Sequence, residues 1–180
     1  VINLLGNAVK FTEKGEVVLT VGVAEGPTKT GQGRAVTLHF AVRAGEDVPV
    51  EPDIAFTASS IIKIPIMVSS VRRMGDTPDD ETLKLMQDMI ELSGNEAADW
   101  LMDRVIDNQR GPLLVTEDMQ ALGVKNTYLA GYFSIGSPLL AVIETPANQR
   151  QDVFTDPDPY SQTTPSDMGM LLEDIYQCAR

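Results

Sequence analysis

The chain has 180 residues, of which 43% are hydrophobic, and a formal net charge of −12. This length fits one domain or two small ones, and the composition is that of a globular chain with a hydrophobic core. The charge excludes nucleic-acid binding, since no basic patch is present to meet phosphates, and no apolar run approaches the roughly 20 residues that span a membrane.

The first predicted elements are a helix end and two strands within residues 1–43. Residues 1–9 have the amphipathic pattern of a helix end, and Gly15 lies where that helix stops. Residues 16–23 and 35–43 alternate between apolar and polar side chains, which predicts two strands. Because a short glycine-bearing loop joins them, we expect a hairpin.

Residues 2–12, Ile-Asn-Leu-Leu-Gly-Asn-Ala-Val-Lys-Phe-Thr, closely resemble the N-box of histidine-kinase ATP-binding domains. In that family the asparagine matching Asn7 helps to hold magnesium, and the lysine matching Lys10 approaches the ATP phosphates. The resemblance ends near residue 43, because Ala44-Gly-Glu-Asp stands where the family has an Asp-x-Gly-x-Gly box. It implies a vestigial ATP and magnesium site at Asn7 and Lys10. The alternative is a helix and hairpin with inert polar residues.

Helical periodicity dominates after residue 43. It predicts helices over residues 60–73, 80–92, 95–106 and 112–122, and a last helix that opens at residues 164–165. Thr164 is the expected N-cap of that last helix and Pro165 its first-turn proline. Residues 131–164 contain several prolines and form a long irregular loop, which usually has a function.

Ser60 and Lys63 form a Ser-x-x-Lys pair at the start of the first of these helices. Residues three apart share a helix face, so the hydroxyl and the amine are expected to meet. Isoleucines on both sides of Lys63 would desolvate the amine and lower its pKa, which lets it act as a base toward the serine. The alternative is that Ser60 is only a helix cap.

Three further motifs follow Lys63 along the chain. They are Ser93-Gly94-Asn95 after the second predicted helix, Glu144-Thr-Pro-Ala-Asn148 in the long loop, and Gln162-Thr-Thr-Pro165 before the last helix. With Ser-x-x-Lys, and in this order, they resemble the class A β-lactamase family over about residues 36–180.

This resemblance implies a role for each matched residue. Ser60 would be the nucleophile and Lys63 its base, and Ser93 would relay the proton to the leaving nitrogen. Asn95 would bind the substrate amide. Glu144 and Asn148 would position and activate the water that hydrolyses the acyl-enzyme.

The chain departs from the family pattern in two places. Gly94 replaces the usual aspartate, which puts the geometry of that turn in doubt. The Lys-Thr-Gly strand that should follow these motifs is absent, so a truncated chain is expected. Lys29-Thr30-Gly31 is present only ahead of Ser60, where a permuted order would be needed.

The predicted fold is α+β, a small antiparallel sheet packed on a helical cluster, as in part of the β-lactamase and transpeptidase fold. We expect a chimera of a histidine-kinase-like fragment (1–43) and a β-lactamase-like region (44–180). The predicted function is serine hydrolysis of a β-lactam or related amide, an activity that in the family confers antibiotic resistance. The alternatives are a nucleotide-binding fragment and a structural or designed chain without activity.

Predictions about partners and location are fewer. The single cysteine, Cys178, excludes an internal disulfide and a cysteine-based metal cluster, and neither a metal nor another cofactor is expected. Unpaired sheet edges predict self-association into a homo-oligomer. The β-lactamase resemblance implies an extracytoplasmic location, although the chain opens without a signal-peptide pattern.

Overall fold

The computed structural model describes residues 17–24, 37–44, 52–153, 155 and 157–177. Asn7 and Lys10 lie outside the described residues, so the nucleotide site stays a prediction. By its internal contacts the chain divides into two units, Val1–Val50 and Glu51–Arg180. No helix in the described part is long and apolar enough to cross a membrane.

The first unit contains strands β1 (Val17–Ala24) and β2 (Thr37–Ala44). They pair in antiparallel fashion, with Val17 opposite Ala44 and Val21 opposite Phe40. The strands begin and end within two residues of the predicted positions. Alternating side chains were therefore a sufficient signal for this sheet.

The second unit holds a three-stranded antiparallel sheet made of β3 (Phe56–Thr57), β4 (Tyr128–Leu129) and β5 (Ser161–Thr163). Strand β5 lies in the middle of the order β3-β5-β4. It therefore joins two distant parts of the chain, since Phe56 pairs with Thr163 and Tyr128 pairs with Gln162.

The described residues of this unit also form five α-helices. They are α1 (Lys63–Val71), α2 (Asp80–Glu91), α3 (Asn95–Leu101), α4 (Gly111–Ala121) and α5 (Pro165–Gln177). Their positions agree with the predicted helices, and the α+β fold with a small antiparallel sheet on a helical cluster is confirmed.

Two helices differ from the prediction in their winding. A 3₁₀ turn, Ser59–Ile62, precedes α1, and a π turn, Met102–Ile106, continues α3. The π turn is followed by a close approach of two backbones, because a Cβ on Gly111 would lie 2.7 Å from the carbonyl oxygen of Met102. Only glycine fits there, and hydrophobic periodicity does not report such a contact.

Side-chain caps fix the starts of two helices. The Asp79 carboxylate accepts a hydrogen bond of 2.7 Å from the Thr82 N–H at the start of α2. At the start of α5 the Thr164 hydroxyl accepts one of 3.2 Å from the Asp167 N–H, with Pro165 in the first turn. The predicted cap at Thr164 is thereby confirmed.

Helix α1 lies between two hydrophobic clusters. The larger cluster joins the start of α1 to α2, α3 and α4, and its buried members include Ile62, Ile66, Met89, Leu101, Met102 and Val115. The smaller cluster joins α4 to α5 through Met119, Val124, Met168 and Leu171. Burial on both sides gives α1 a fixed position, and Lys63 is its first residue.

Candidate active site

A cleft of about 530 Å³ opens between the 3₁₀ turn, the start of α3 and one end of the sheet. Ser60 and Asn95 line it on the helical side, and Asp158 and Tyr160 line it on the strand side. Loop residues between Gly131 and Ser137 form the remaining wall. The volume lies within the range of small-molecule sites, which is about 300–1,000 Å³.

The buried amine of Lys63 brings four of the predicted site residues together. Its Nζ atom lies 3.2 Å from the Ser60 Oγ atom and 3.3 Å from the Ser93 Oγ atom. It also donates a hydrogen bond of 2.7 Å to the Asn95 Oδ1 atom. Lys63 as a residue is only 3% exposed, so these contacts replace most of its hydration.

Two turns with unusual backbone geometry present the serines. Ser59 has φ of +47° and Ser93 has φ of +57°, a left-handed conformation that is uncommon outside glycine. The first turn exposes the hydroxyl of Ser60. In the second turn Gly94 packs closely against α2, because a Cβ there would lie 3.2 Å from the carbonyl oxygen of Asp88. With glycine in place of the aspartate at position 94, this turn still presents Ser93 to Lys63.

Burial lowers the pKa of Lys63 from its ordinary value, and the negative charge of Asp99 acts in the opposite direction. The ring of Phe133 covers the amine, with its centroid 4.8 Å from the Nζ atom. A lysine in this environment holds a larger neutral fraction at a given pH than an exposed lysine does.

Asp99 ties the cleft loop to α3. Its carboxylate accepts hydrogen bonds from the backbone N–H groups of Phe133, at 2.8 Å, and Ser134, at 2.9 Å, and from the Ser134 hydroxyl. The loop is held again on the strand side, where the Tyr160 hydroxyl donates to the Ser137 carbonyl oxygen at 3.0 Å. The ring of Phe133 is therefore carried by a loop that is anchored at two points.

Sequence reasoning did not identify Asp99 or Phe133. A signal for Asp99 was available, because it lies four residues after Asn95 and therefore on the same face of α3. Phe133 lies in an irregular loop, where no periodicity indicates which way a side chain points.

Glu144 and Asn148 lie in the part of the long loop that does not line the cleft. Glu144 is exposed and does not line the cleft. The Asn148 side chain closes a local turn, since its Oδ1 atom accepts from the Thr145 N–H at 2.8 Å and its Nδ2 atom donates to the Ile143 carbonyl oxygen at 2.9 Å. Their assignment to the water step stays a prediction.

Comparison with known proteins identifies the family. A model of the Beta-lactamase enzyme family matches residues 78–179, which is more than half of the chain. This match includes Ser93 and Asn95 and begins after Lys63. No curated protein matches the chain. With the matched region, the fold and the cleft taken together, the chain belongs to the β-lactamase enzyme family.

Proposed function

We propose that this chain is a serine hydrolase in which Ser60 attacks the carbonyl carbon of a β-lactam or a related amide. The observation that carries the proposal is the buried Lys63 amine, within hydrogen-bond distance of both the Ser60 and Ser93 hydroxyl groups. A nucleophile within reach of a base of lowered pKa is the arrangement that covalent catalysis requires. Membership in the β-lactamase enzyme family supports the same chemistry.

Acylation then follows from the contacts of Lys63. The neutral amine takes the proton of Ser60 as the Oγ atom bonds to the carbonyl carbon. When the carbon–nitrogen bond breaks, the proton passes from Lys63 through the Ser93 hydroxyl to the leaving nitrogen. The product is an ester on Ser60, and the amine is neutral again.

Asn95 is suited to hold the substrate. It lines the cleft, and its Oδ1 atom accepts a hydrogen bond from Lys63. That contact orients the side chain and leaves the two amide N–H donors for another partner. A substrate carbonyl oxygen within the cleft is the acceptor that we propose for them.

The finer parts of the sequence interpretation remain proposals. The resemblance alone assigns Glu144 and Asn148 to the water step, and neither residue lines the cleft. The division into residues 1–43 and residues 44–180 likewise remains a proposal.

A fluorescent penicillin tests the proposal directly. We expect a covalent adduct, located on Ser60 by mass spectrometry of peptides, and we expect Ser60→Ala to abolish it. Ser166→Ala is the matched control, because Ser166 lies at the start of α5 and does not line the cleft. Absence of both an adduct and hydrolysed penicillin, with a chain that is folded by circular dichroism, would rule the proposal out.

A further inference from the structure

An aromatic residue, Phe133, covers the amine of Lys63. The Phe133 ring lies 4.8 Å from the Nζ atom, and Phe133 lines the same cleft as Ser60. Asp99 holds the backbone of this residue at 2.8 Å. An apolar ring therefore occupies a fixed position against the amine that contacts the Ser60 hydroxyl.

We propose that the acyl-enzyme formed on Ser60 is long-lived, because Phe133 stands beside Lys63 where a base for the attacking water would be needed. This inference rests on the proposed function and concerns only its second half. The chain would accept an acyl group readily and release it slowly, so that β-lactams act on it as covalent ligands rather than as substrates that turn over.

Release of the acyl group has requirements that acylation does not have. The oxygen of a water molecule must bond to the acyl carbon while the bond from that carbon to the Ser60 Oγ atom breaks. One water proton must pass to a base, and the Oγ atom must regain a proton. The base must lie within hydrogen-bond distance of that water, and such a base contributes about 10²–10⁴ in rate.

Lys63 is poorly placed to be this base. Its amine already contacts Ser60, Ser93 and Asn95, and the Phe133 ring covers it on a further side. The residue is 3% exposed, which leaves little room for a water molecule against the Nζ atom. The Ser60 hydroxyl already contacts the amine directly. Acylation therefore does not require a water molecule to approach the Nζ atom.

The carboxylates of this unit are also poorly placed to be the base, because they accept other hydrogen bonds or lie outside the cleft. Both oxygens of Asp99 accept hydrogen bonds from residues 133 and 134. Glu144 is exposed and does not line the cleft. Among the described residues that line it, Asp158 is the acidic one. It stands on the strand side, where its Oδ1 atom accepts from the Tyr160 N–H at 2.7 Å and its own N–H donates to the Thr57 hydroxyl at 2.8 Å.

The test measures how long the adduct lasts. The full chain is labelled with a fluorescent penicillin, excess label is removed, and the intact mass is followed with time. We expect the adduct to persist for hours, with little hydrolysed penicillin formed per protein molecule. Loss of the adduct within seconds, with many molecules hydrolysed per chain, would overturn the inference and leave the proposed function intact. Absence of any adduct together with absence of hydrolysed penicillin would overturn both.

A matched pair of variants tests the position of Phe133. Phe133→Glu places a carboxylate beside Lys63, and we expect it to shorten the lifetime of the adduct about tenfold or more, since it supplies a general base. Phe133→Gln has the same shape without the charge and is expected to keep the long lifetime. Equal lifetimes in the two variants would overturn the assignment, as would a longer lifetime in Asp158→Asn, which would identify Asp158 as the base.

A further measurement needs no variant. Hydroxylamine is a strong nucleophile that attacks esters without help from a carboxylate. We expect it to release the acyl group from the labelled chain quickly, at a concentration that leaves folding unchanged. If hydroxylamine fails to do so, the ester is sterically shielded from attack, and the lack of a base is not the cause of its lifetime.

Discussion

At Lys63 an amine lies against two hydroxyl groups in a place that water barely reaches. Burial and the charge of Asp99 act on its pKa in opposite directions, and burial is the larger effect. Under the proposed function, the protonation state of this one atom decides whether Ser60 is activated. Changes at single residues of the cleft should therefore appear first as changes in pH dependence.

The rate of acylation is expected to rise with pH as Lys63 loses its proton, and to level off at a lower pH than an ordinary lysine would allow. Lys63→Met retains the length of the side chain and removes the base, so we expect labelling to fall by about 10²-fold or more. Initial labelling rates across the alkaline range measure both effects. A pH-independent rate in the unmodified chain would contradict this role for Lys63.

Lys63 also links stability to pH. Because its pKa is lower in the folded chain than in the unfolded chain, the unfolded chain binds more protons at pH values between the two. The unfolding free energy should rise with pH across that window. Lys63→Met should remove this part of the slope, as urea unfolding at a series of pH values would show. An unchanged slope would mean that Lys63 is not desolvated in solution.

The negative charge of Asp99 opposes the lowering of the Lys63 pKa by burial. In Asp99→Asn the negative charge is lost, so the Lys63 pKa should fall further and the pH profile of acylation should move to lower pH. Asp103→Asn is the matched control, because it removes the same charge from the adjoining π turn, whereas the charge that raises the Lys63 pKa is that of Asp99. A shift to higher pH in Asp99→Asn would contradict the electrostatic role.

At the scale of elements, a partly buried ion pair joins the end of α1 to α4. The Arg73 guanidinium binds the Asp118 carboxylate through both oxygens and also donates to the Ser69 carbonyl oxygen at 3.1 Å. The side chains are 26% and 12% exposed. Because α1 carries Lys63 at its other end, this contact helps to fix the helix on which the site depends.

We expect Asp118→Ala to lower the unfolding free energy by about 2–3 kcal/mol, because it leaves Arg73 without its partner in a partly buried place. Glu117→Ala is the matched control. It breaks the Arg110–Glu117 pair, whose side chains are 58% and 53% exposed. Such a surface pair is worth about 0–1 kcal/mol. Equal losses in urea unfolding would show that burial does not distinguish the two pairs.

The sequence was informative wherever a local pattern carries the structure. Period-two alternation located β1 and β2, and apolar periodicity with its caps located the helices. The meeting of Ser60 with Lys63 follows from their three-residue spacing alone. The contact of Lys63 with Ser93 was predicted only through a family resemblance, because no local pattern links residues thirty positions apart.

What the sequence could not reveal depends on distant contacts. Strands β3 and β4 have two residues each, which is too short for alternation to be seen. Asp99 binds the loop that carries Phe133, and the Phe133 ring thereby reaches Lys63. Tertiary packing sets the contact between Asp99 and this loop. A sequence pattern can therefore suggest which residues react, but not which groups surround them.

At the scale of the whole molecule, the described site lies within one of the two units. Ser60, Lys63, Ser93 and Asn95 all belong to Glu51–Arg180, which has its own hydrophobic clusters. We expect a chain that lacks residues 1–50 to remain folded and to be labelled at the same rate. Thermal unfolding and labelling kinetics measure this. Loss of labelling in a folded fragment would show that the first unit supplies a group to the chemistry.

Strand β5 has a consequence for the order in which this protein becomes active during its synthesis. The Ser161 carbonyl oxygen accepts a hydrogen bond from the Ala58 N–H at 3.3 Å, directly before the turn that presents Ser60. A ribosome makes Ser60 early and its supporting strand late. A nascent chain that has not yet released residues 161–163 from the exit tunnel should therefore be inert toward penicillin, however much of its helical part has already formed.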